Sequence, residues 1–374
     1  MSLSITAAFD GGNIEVVDAS NPADIQLNIR KDAGSDHYQW FFFRVSGAKG
    51  VPLNLRLMNA GGASYPEGWT GYHAVSSSDR EFWFRIPTTY DDGELVIRDT
   101  PDADAVWYAY FAPYPVERHN ILIADVQNAP GVTLRVLGQT LEGKSMDCLT
   151  IGDGPKTIWV TARQHPGETM AEWWMEGFLE RLTDLADPVA RMLRRDATFH
   201  IVPNMNPDGS CRAHLRTNAK GVNLNREWGR SSEENSPEVH CVSAEMERTG
   251  CDLFLDVHGD EGLPYNFIAG AEGVPGFDAK SQETLDAYRG ILARLTPDFQ
   301  TEHGYEPDRP GGAEMSIATH HVHGRFKCLA MTLEMPFKDA ANHPEPDQGW
   351  SPERCRKLGA ANLDAMLEIL GRVS

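Results

Sequence analysis

The chain has 374 residues, of which 41% are hydrophobic, 9% aromatic and 24% charged, and this is an ordinary globular composition. Its 54 acidic residues outnumber its 34 Lys and Arg, and the resulting net charge of −20 argues against nucleic acids or anionic membranes as main partners. The length predicts two domains, or one large domain with an appendage.

The first part of the chain reads as short strands separated by turns. Runs that alternate in polarity, or that are rich in aromatic and β-branched residues, are typical of strands. Such runs occupy residues 25–29, 40–45, 53–57, 82–86 and 106–111. The spacing predicts an antiparallel β-sandwich domain over residues 1–114.

From residue 115 onward, strand-like apolar runs alternate with amphipathic helices. A helix with one apolar stripe follows residues 157–160, and a second is bounded by Ser236-Pro237 and Gly250. Two more helical segments cover about 281–295 and 352–370. This alternation predicts an α/β domain over residues 115–374, with a mixed, largely parallel sheet flanked by helices.

Polar side chains follow four of the apolar runs in this second part. Ligands of open α/β sheets bind outside the carboxyl ends of the strands, so we expect these side chains to converge on one edge. They are His165 and Glu168 after residues 157–160, Arg216, Asn225 and Arg226 after 199–202, His258 after 253–255, and Glu334 after 329–333.

The simplest chemistry for this set is a catalytic zinc site. Such sites use three nitrogen or oxygen ligands and leave one position open, and His165, Glu168 and His258 fit that requirement. Glu334 is then free to act as general base, and Arg216 is suited to stabilise an oxyanion. A lone His-x-x-Glu pair is common by chance, so the prediction depends on the joint placement of these residues.

Five motifs follow one another along the second part of the chain. They are His165-Pro-Gly-Glu168, Asn206-Pro-Asp-Gly209, Asn225-Arg226, the segment around His258, and Thr332-Leu-Glu334. These motifs resemble, in the same order, those of the zinc carboxypeptidase (carboxypeptidase A) superfamily. Two stretches near the N-terminus, residues 39–45 and 111–119, resemble its cytosolic-carboxypeptidase-like branch, which carries an N-terminal β-sandwich. The resemblance therefore covers nearly the whole chain.

The resemblance implies a carboxypeptidase-like fold and a zinc-dependent metallocarboxypeptidase that removes residues from peptide or protein C-termini. It implies one Zn²⁺ per chain, held by His165, Glu168 and His258. Glu334 would act first as base and then as proton donor, and Arg216 would polarise the scissile carbonyl.

The resemblance also implies how substrate is held. Asn225 and Arg226 would bind the C-terminal carboxylate, and Tyr305 is the best candidate for the family's substrate-capping tyrosine. The family commonly has Asp where this chain has Asn223, and that Asp orients the first zinc histidine. Because an amide leaves the imidazole less basic than a carboxylate does, we expect somewhat weaker zinc binding.

The side-chain pocket is expected from residues 305–327. Three cations of that segment, Arg309, Arg325 and Lys327, are candidate contacts for an acidic side chain. They would suit the glutamate preference known in this branch, although cations in such a loop are more often simply solvated.

Three other functions compete with this one. Residues 138–145 fit the phosphate-loop pattern of nucleotide-binding proteins, with Asp256 as the acidic strand residue, but that loop requires a following helix and 146–151 reads as a strand. The related deacylases of amino acids also use His-x-x-Glu and a later His. A non-enzymatic protein with a decayed site is the least attractive alternative, since every catalytic position is filled.

The remaining features concern location and partners. No run approaches the roughly 20 apolar residues of a membrane helix, and the N-terminus does not read as a signal peptide. The six cysteines show no CxxC spacing, so we expect reduced thiols in the cytoplasm. We expect no nucleic-acid or membrane partner, and homo-oligomerisation stays open.

Overall fold

The computed structural model describes residues 3–373. Its N-terminal part contains ten short strands and no α-helix within the described residues 3–115. The strands are β1 (Ser4–Thr6), β2 (Glu15–Asp18), β3 (Ile25–Asn28), β4 (Phe42–Ser46), β5 (Leu53–Leu57), β6 (Val75–Ser77), β7 (Phe84–Arg85), β8 (Thr88–Asp91), β9 (Glu94–Asp99) and β10 (Ala105–Ala109).

These strands form two five-stranded sheets, in the orders β1-β4-β10-β6-β7 and β2-β3-β5-β9-β8. Buried residues of both sheets belong to one hydrophobic core, as the predicted sandwich requires. The expectation of antiparallel pairing is wrong at one place, because β3 and β5 pair in parallel. The strand predicted over 82–86 is also too long, since only Phe84–Arg85 pairs.

The C-terminal part alternates helices and strands. Its helices are α1 (Val116–Val126), α2 (Met170–Thr183), α3 (Pro188–Asp196), α4 (Pro207–Arg212), α5 (Pro237–Thr249), α6 (Ala279–Leu295), α7 (Ala318–Phe326) and α8 (Pro352–Ile369). Its strands are β11 (Val132–Gln139), β12 (Ser145–Ile151), β13 (Lys156–Ala162), β14 (Ala197–Val202), β15 (Leu253–Asp260), β16 (Phe267–Ala269) and β17 (Leu329–Pro336).

The seven strands form one mixed sheet in the order β11-β12-β14-β13-β15-β17-β16. The four central strands are parallel, and the outer pairings are antiparallel. This is the predicted α/β architecture, and it places the carboxyl ends of β13, β14, β15 and β17 along one edge.

Helices cover both faces of this sheet, which explains why its central strands are almost continuously apolar. Ile158 and Val160 of β13 face a layer built from α2, α3, α6 and α8. Trp159, between them, faces the opposite layer of α5 and α7, together with Phe254 of β15. Both layers are buried, so the central strands have little freedom to shift.

Helix α5 has the predicted bounds, but the Ser236 side chain does not cap it as expected. It begins at Pro237 and ends before Gly250, whose φ of 78° is the left-handed conformation that glycine tolerates. Ser236 occupies the N-cap position, yet its side chain does not cap the helix. Its hydroxyl instead donates to Glu227 and accepts from Ser232 N.

The phosphate-loop alternative for residues 138–145 is wrong in its structural context. β11 and β12 form an antiparallel hairpin, and the residues from Ser145 onward are a strand rather than a helix. Lys144 Nζ lies 2.9 Å from Asp208 Oδ1, so a carboxylate of the protein already binds this cation. The hairpin therefore lacks the helix N-terminus that holds a nucleotide phosphate.

Two smaller expectations concern cysteines and membranes. All six cysteines are free. Among residues 3–373, no helix combines the length and the apolar character needed to cross a bilayer. The boundary between residues 114 and 115 stays a prediction.

Candidate active site

A single cavity of about 680 Å³ lies at the carboxyl ends of β13, β15 and β17. The residues predicted to hold zinc, to catalyse and to bind the substrate's C-terminal residue line it, and they come from three loops and two strands. They are His165, Glu168, Arg216, Asn225, Arg226, His258, Tyr305 and Glu334.

Sheet register and one tight loop contact bring these residues together. His258 and Glu334 lie directly opposite each other on the parallel strands β15 and β17. His165 and Glu168 come from the loop between β13 and α2. Gly167 in that loop has no room for a side chain, because a Cβ would lie 3.0 Å from Leu215 O of the neighbouring loop.

Three side chains form a compact, buried set of metal-ligand type. The ligand atoms of His165, Glu168 and His258 all lie within 4.8 Å of one another. The carboxylate of Glu168 is 2.7 Å from His165 Nδ1 and 2.8 Å from His258 Nδ1, and the two Nδ1 atoms are 3.2 Å apart. Nitrogen ligands of a tetrahedral zinc are separated by about 3.3 Å, so this spacing fits zinc.

The outer nitrogens of both imidazoles fix their tautomers. His165 Nε2 lies 3.1 Å from Asn223 Oδ1, and His258 Nε2 lies 2.8 Å from Asp256 Oδ2. Both partners are acceptors, so the outer nitrogens donate and the neutral imidazoles turn lone pairs inward. Two lone pairs and one carboxylate then face one point, an arrangement that favours a cation.

The two histidines differ in their electrostatics. Burial and the Arg216 guanidinium lower the pKa of His165 to about 4, so its imidazole is neutral. Burial by itself lowers the pKa of His258, but the Asp256 and Glu168 carboxylates raise it well above the ordinary value. The same two carboxylates stabilise a metal cation at this position.

Asp256 is a functional candidate that the sequence analysis assigned only to the rejected nucleotide site. Its carboxylate is fully buried, and it accepts from Thr161 Oγ1 at 2.7 Å and Gln164 Nε2 at 2.5 Å besides His258. These bonds hold the carboxylate in place, so Asp256 orients His258 much as Asn223 orients His165.

Glu334 is buried beside the trio. Within residues 3–373, its Oε2 atom has no hydrogen-bond partner, and its Oε1 atom lies 3.4 Å from Tyr305 Oη. Burial, together with the Glu168, Asp260 and Glu261 carboxylates, raises the pKa of Glu334 well above its usual range. A protonatable carboxyl group with an open oxygen therefore faces the cavity.

Tyr305 lies close to this carboxyl group without belonging to the metal trio. Its hydroxyl donates to Asp260 Oδ2 at 2.5 Å, although about half of the residue is exposed. No motif marks this tyrosine in the sequence, and the structure brings it to the rim of the cavity.

Two arginines and an amide form the other side of the cavity. The Arg216 guanidinium lies 5.4 Å from the ring of Tyr65, and no carboxylate pairs with it in the described part of the chain. Arg226 is held by the Asn225 carbonyl and by Glu314. Asn225 Oδ1 accepts from the first amide of α7, which leaves its amide nitrogen available to a ligand.

The cations expected in the side-chain pocket are not there. Arg309, Arg325 and Lys327 are absent from the described lining; Arg325 pairs with Glu247 on the exposed surface, and Lys327 lines a separate cavity. Arg289 of α6 lines the cavity instead. Residues 305–308, 317, 319 and 320 also contribute, so part of the predicted segment does form the pocket.

Comparison with known proteins identifies the family of this chain. A family model described as zinc carboxypeptidase matches residues 121–340, and one described as cytosolic carboxypeptidase N-terminal domain matches residues 5–111. The chain therefore belongs to the zinc carboxypeptidase family and is a metallocarboxypeptidase, a hydrolase of peptides.

Three relatives that match most or all of the chain are carboxypeptidases by name. A metallo-carboxypeptidase structure from Burkholderia cenocepacia is 46% identical, with 99% of each chain covered and a TM-score of 0.95. One from Pseudomonas aeruginosa, in complex with (2-guanidinoethylmercapto)succinic acid, is 44% identical, with 99% of this chain and 100% of that chain covered and a TM-score of 0.97. Cytosolic carboxypeptidase 6 of Caenorhabditis elegans is 25% identical, covering 90% of this chain and 79% of its own length.

Proposed function

We propose that this chain uses one zinc ion, held by His165, Glu168 and His258, to hydrolyse the C-terminal peptide bond of peptides or proteins. The observation that carries the proposal is the buried set of two imidazole lone pairs and one carboxylate converging on a single point. A bound zinc ion acts as a Lewis acid that polarises a carbonyl and makes water nucleophilic at neutral pH.

Glu334 is the group that moves protons in this proposal. As a carboxylate it takes a proton from the attacking water, and it then returns that proton to the leaving amine; a raised pKa makes the carboxylate a stronger base. Arg216 donates to the carbonyl oxygen of the scissile bond as negative charge develops there. Support for this role is its half-buried side chain, with which no carboxylate of residues 3–373 forms an ion pair.

Selectivity for chain ends comes from the side of the cavity that Asn225 and Arg226 line. Arg226 and the Asn225 amide bind the C-terminal carboxylate, since a guanidinium forms strong, directional bonds to a carboxylate. Tyr305 closes over the bound residue from the rim. Its hydroxyl, 3.4 Å from Glu334, is placed to donate to the substrate near the reacting bond.

The Arg226 role has a direct test with paired peptides that carry either a free or an amidated C-terminus. Arg226→Ala should raise KM for the free peptide about 10–100-fold, because a bond to a charged group is lost. Its effect on the amidated peptide should be small. Arg212→Ala, on the exposed surface, serves as the matched control. Equal losses on both peptides would contradict the assignment.

For the residue removed, we propose a preference for acidic side chains with Arg289 as the contact. Arg289 lines the cavity, and its guanidinium is fixed by the Ile268 carbonyl and by Glu272. A fixed guanidinium is suited to a carboxylate, whereas the cations first expected in this role lie elsewhere.

A basic preference is the competing possibility, and specific observations favour it. Glu272, Glu306 and Asp308 also line the cavity, and they suit a cationic side chain. The Pseudomonas aeruginosa relative is in complex with a ligand that carries a guanidine group as well as carboxylates.

Peptides that differ only in a terminal Glu, Lys or Leu distinguish these preferences. Arg289→Gln should lower kcat/KM for the Glu peptide about 10–100-fold and leave the Leu peptide unchanged. Arg325→Gln, whose side chain pairs with Glu247 outside the cavity, should change neither. Faster removal of Lys by the wild type, with Glu272→Gln abolishing it, would establish the basic preference instead.

A further inference from the structure

The loop that carries Arg216 is held by a carboxylate of the N-terminal part of the chain. Asp32, in the loop after β3, is buried and only 3% exposed. One of its oxygens accepts from Leu215 N at 2.6 Å, and the other from Arg216 N at 2.9 Å and Thr217 N at 3.0 Å. The Thr217 hydroxyl adds a fourth bond at 3.0 Å.

This arrangement determines the local backbone geometry. Three consecutive N–H groups that point at one carboxylate form an anion-binding concavity, and bonds to a charged acceptor are about twice as strong as neutral ones. No cationic side chain pairs with Asp32 in the part of the chain that the structure describes. The carboxylate is therefore devoted to the backbone of residues 215–217.

Other groups of the N-terminal part also contact the loop that carries Arg216. Ala33 N donates to His214 Nε2 at 3.0 Å, and Asn13 Nδ2 donates to the Ala213 carbonyl at 3.3 Å. Tyr65 lies under the Arg216 guanidinium, with 5.4 Å between the guanidinium carbon and the ring centroid. Both the backbone and the guanidinium of Arg216 are thus positioned from the sandwich side.

We propose that Asp32 is a positioning residue for Arg216, so that the N-terminal domain completes the active site rather than being a separate appendage. The inference rests on the proposed role of Arg216 in stabilising the oxyanion. A donor displaced by a few tenths of an ångström loses much of its effect on the transition state but little of its effect on ground-state binding.

The test compares Asp32→Asn with wild type under zinc-saturating conditions. The new amide places N–H groups against the backbone N–H groups and removes the charge. We expect kcat to fall about 10–100-fold with KM changed less than about threefold. Affinity for a phosphonate peptide, which imitates the tetrahedral state, should fall by the same factor as kcat. Zinc affinity should not change. Asp36→Asn, an exposed acid of the same loop, is the control and should match wild type.

A double-mutant cycle separates positioning from general destabilisation. If Asp32 acts through Arg216, Asp32→Asn should lower kcat much less in an Arg216→Ala background than in wild type. An undiminished effect in that background would overturn the proposal. If Asp32→Asn does not fold, Thr217→Val removes one of the four bonds and enters the same cycle.

Two other results distinguish the positioning role of Asp32 from the proposed role of Arg216. A large loss in Arg216→Ala beside wild-type kcat in Asp32→Asn would refute the positioning role and leave the role of Arg216 intact. Wild-type kcat in Arg216→Ala would refute the proposed role of Arg216 itself, and the inference with it.

Discussion

The two histidines of the proposed metal trio differ in the group that orients them. His258 donates to the Asp256 carboxylate, whereas His165 donates to the Asn223 amide oxygen. A carboxylate partner makes an imidazole a more basic ligand than an amide does, so His165 should be the weaker ligand.

This difference predicts the effect of exchanging the amide for a carboxylate. Asn223→Asp should tighten zinc binding about tenfold, because the new carboxylate accepts the same bonds from His165 and from Asn225 N. Asp256→Asn should weaken binding about 10–100-fold. Competition with a chromophoric chelator measures both affinities. Unchanged affinity in Asn223→Asp would mean that the partner of His165 does not limit binding.

Sequence reasoning succeeds for single residues when a side chain of metal-binding or catalytic type also follows an apolar strand. The sequence predicts one cavity for the polar residues that follow apolar strands, because parallel strands end at one edge of a sheet. The role of Asp256 is harder to predict, because an acidic residue on a buried strand also fits a nucleotide site. Only its bond to His258 distinguishes a metal-site role from a nucleotide-site role. Arg289 lies within a helix, where a cation is ordinarily solvated, and nothing local indicates that it faces a pocket.

Helix α5 carries a buried glutamate, Glu238, that does not line the active-site cavity. Glu238 is fully buried in the first turn, and its Oε1 atom has no hydrogen-bond partner within residues 3–373. Burial raises the pKa of Glu238 to about 7, and the Asn218 amide opposes this shift only weakly at 3.4 Å. The folded protein therefore holds this proton more tightly than the unfolded chain.

This burial predicts a pH-dependent stability with a defined sign. As pH rises from about 4.5 to 7, the unfolded chain loses the Glu238 proton first, so the free energy of unfolding should fall, by roughly 3 kcal/mol in total. Glu238→Gln should remove this part of the pH dependence and be the more stable protein above pH 7. Urea unfolding at pH 5, 6, 7 and 8 measures it. The exposed Glu233→Gln should behave as wild type, and an unaltered pH dependence in Glu238→Gln would contradict the account.

Elements with strong local signals were predicted with nearly correct bounds. Helix α5 has proline at its start and glycine at its end, and the hairpin of β11 and β12 follows from a strand on each side of a Gly-Lys turn. The strands that were missed are short and weakly apolar. All four residues of β2 (Glu15–Asp18) are exposed, for example, so no hydrophobic alternation marks them.

At the scale of the whole molecule, the N-terminal part contributes residues to the cavity that the C-terminal part forms. Tyr65 and Glu67 of the N-terminal part line the cavity, although they precede the metal trio by about a hundred residues. Asp32 reaches the Arg216 loop across a separation of 184 residues. Contacts of this kind depend on how two separately patterned units dock, and no local period encodes that.

The central claim is zinc-dependent removal of C-terminal residues with Glu334 as the base. Mass spectrometry of a mixed peptide set, incubated with zinc-loaded wild type and Glu334→Gln, tests it most directly. Wild type should shorten free C-termini stepwise. The variant should keep its zinc and bind the same peptides, but turn over about 10²–10⁴ times more slowly, because it cannot accept a proton. Trimming by Glu334→Gln at the wild-type rate would contradict the account, and so would a zinc-bound wild type that trims no peptide yet cleaves N-acyl amino acids.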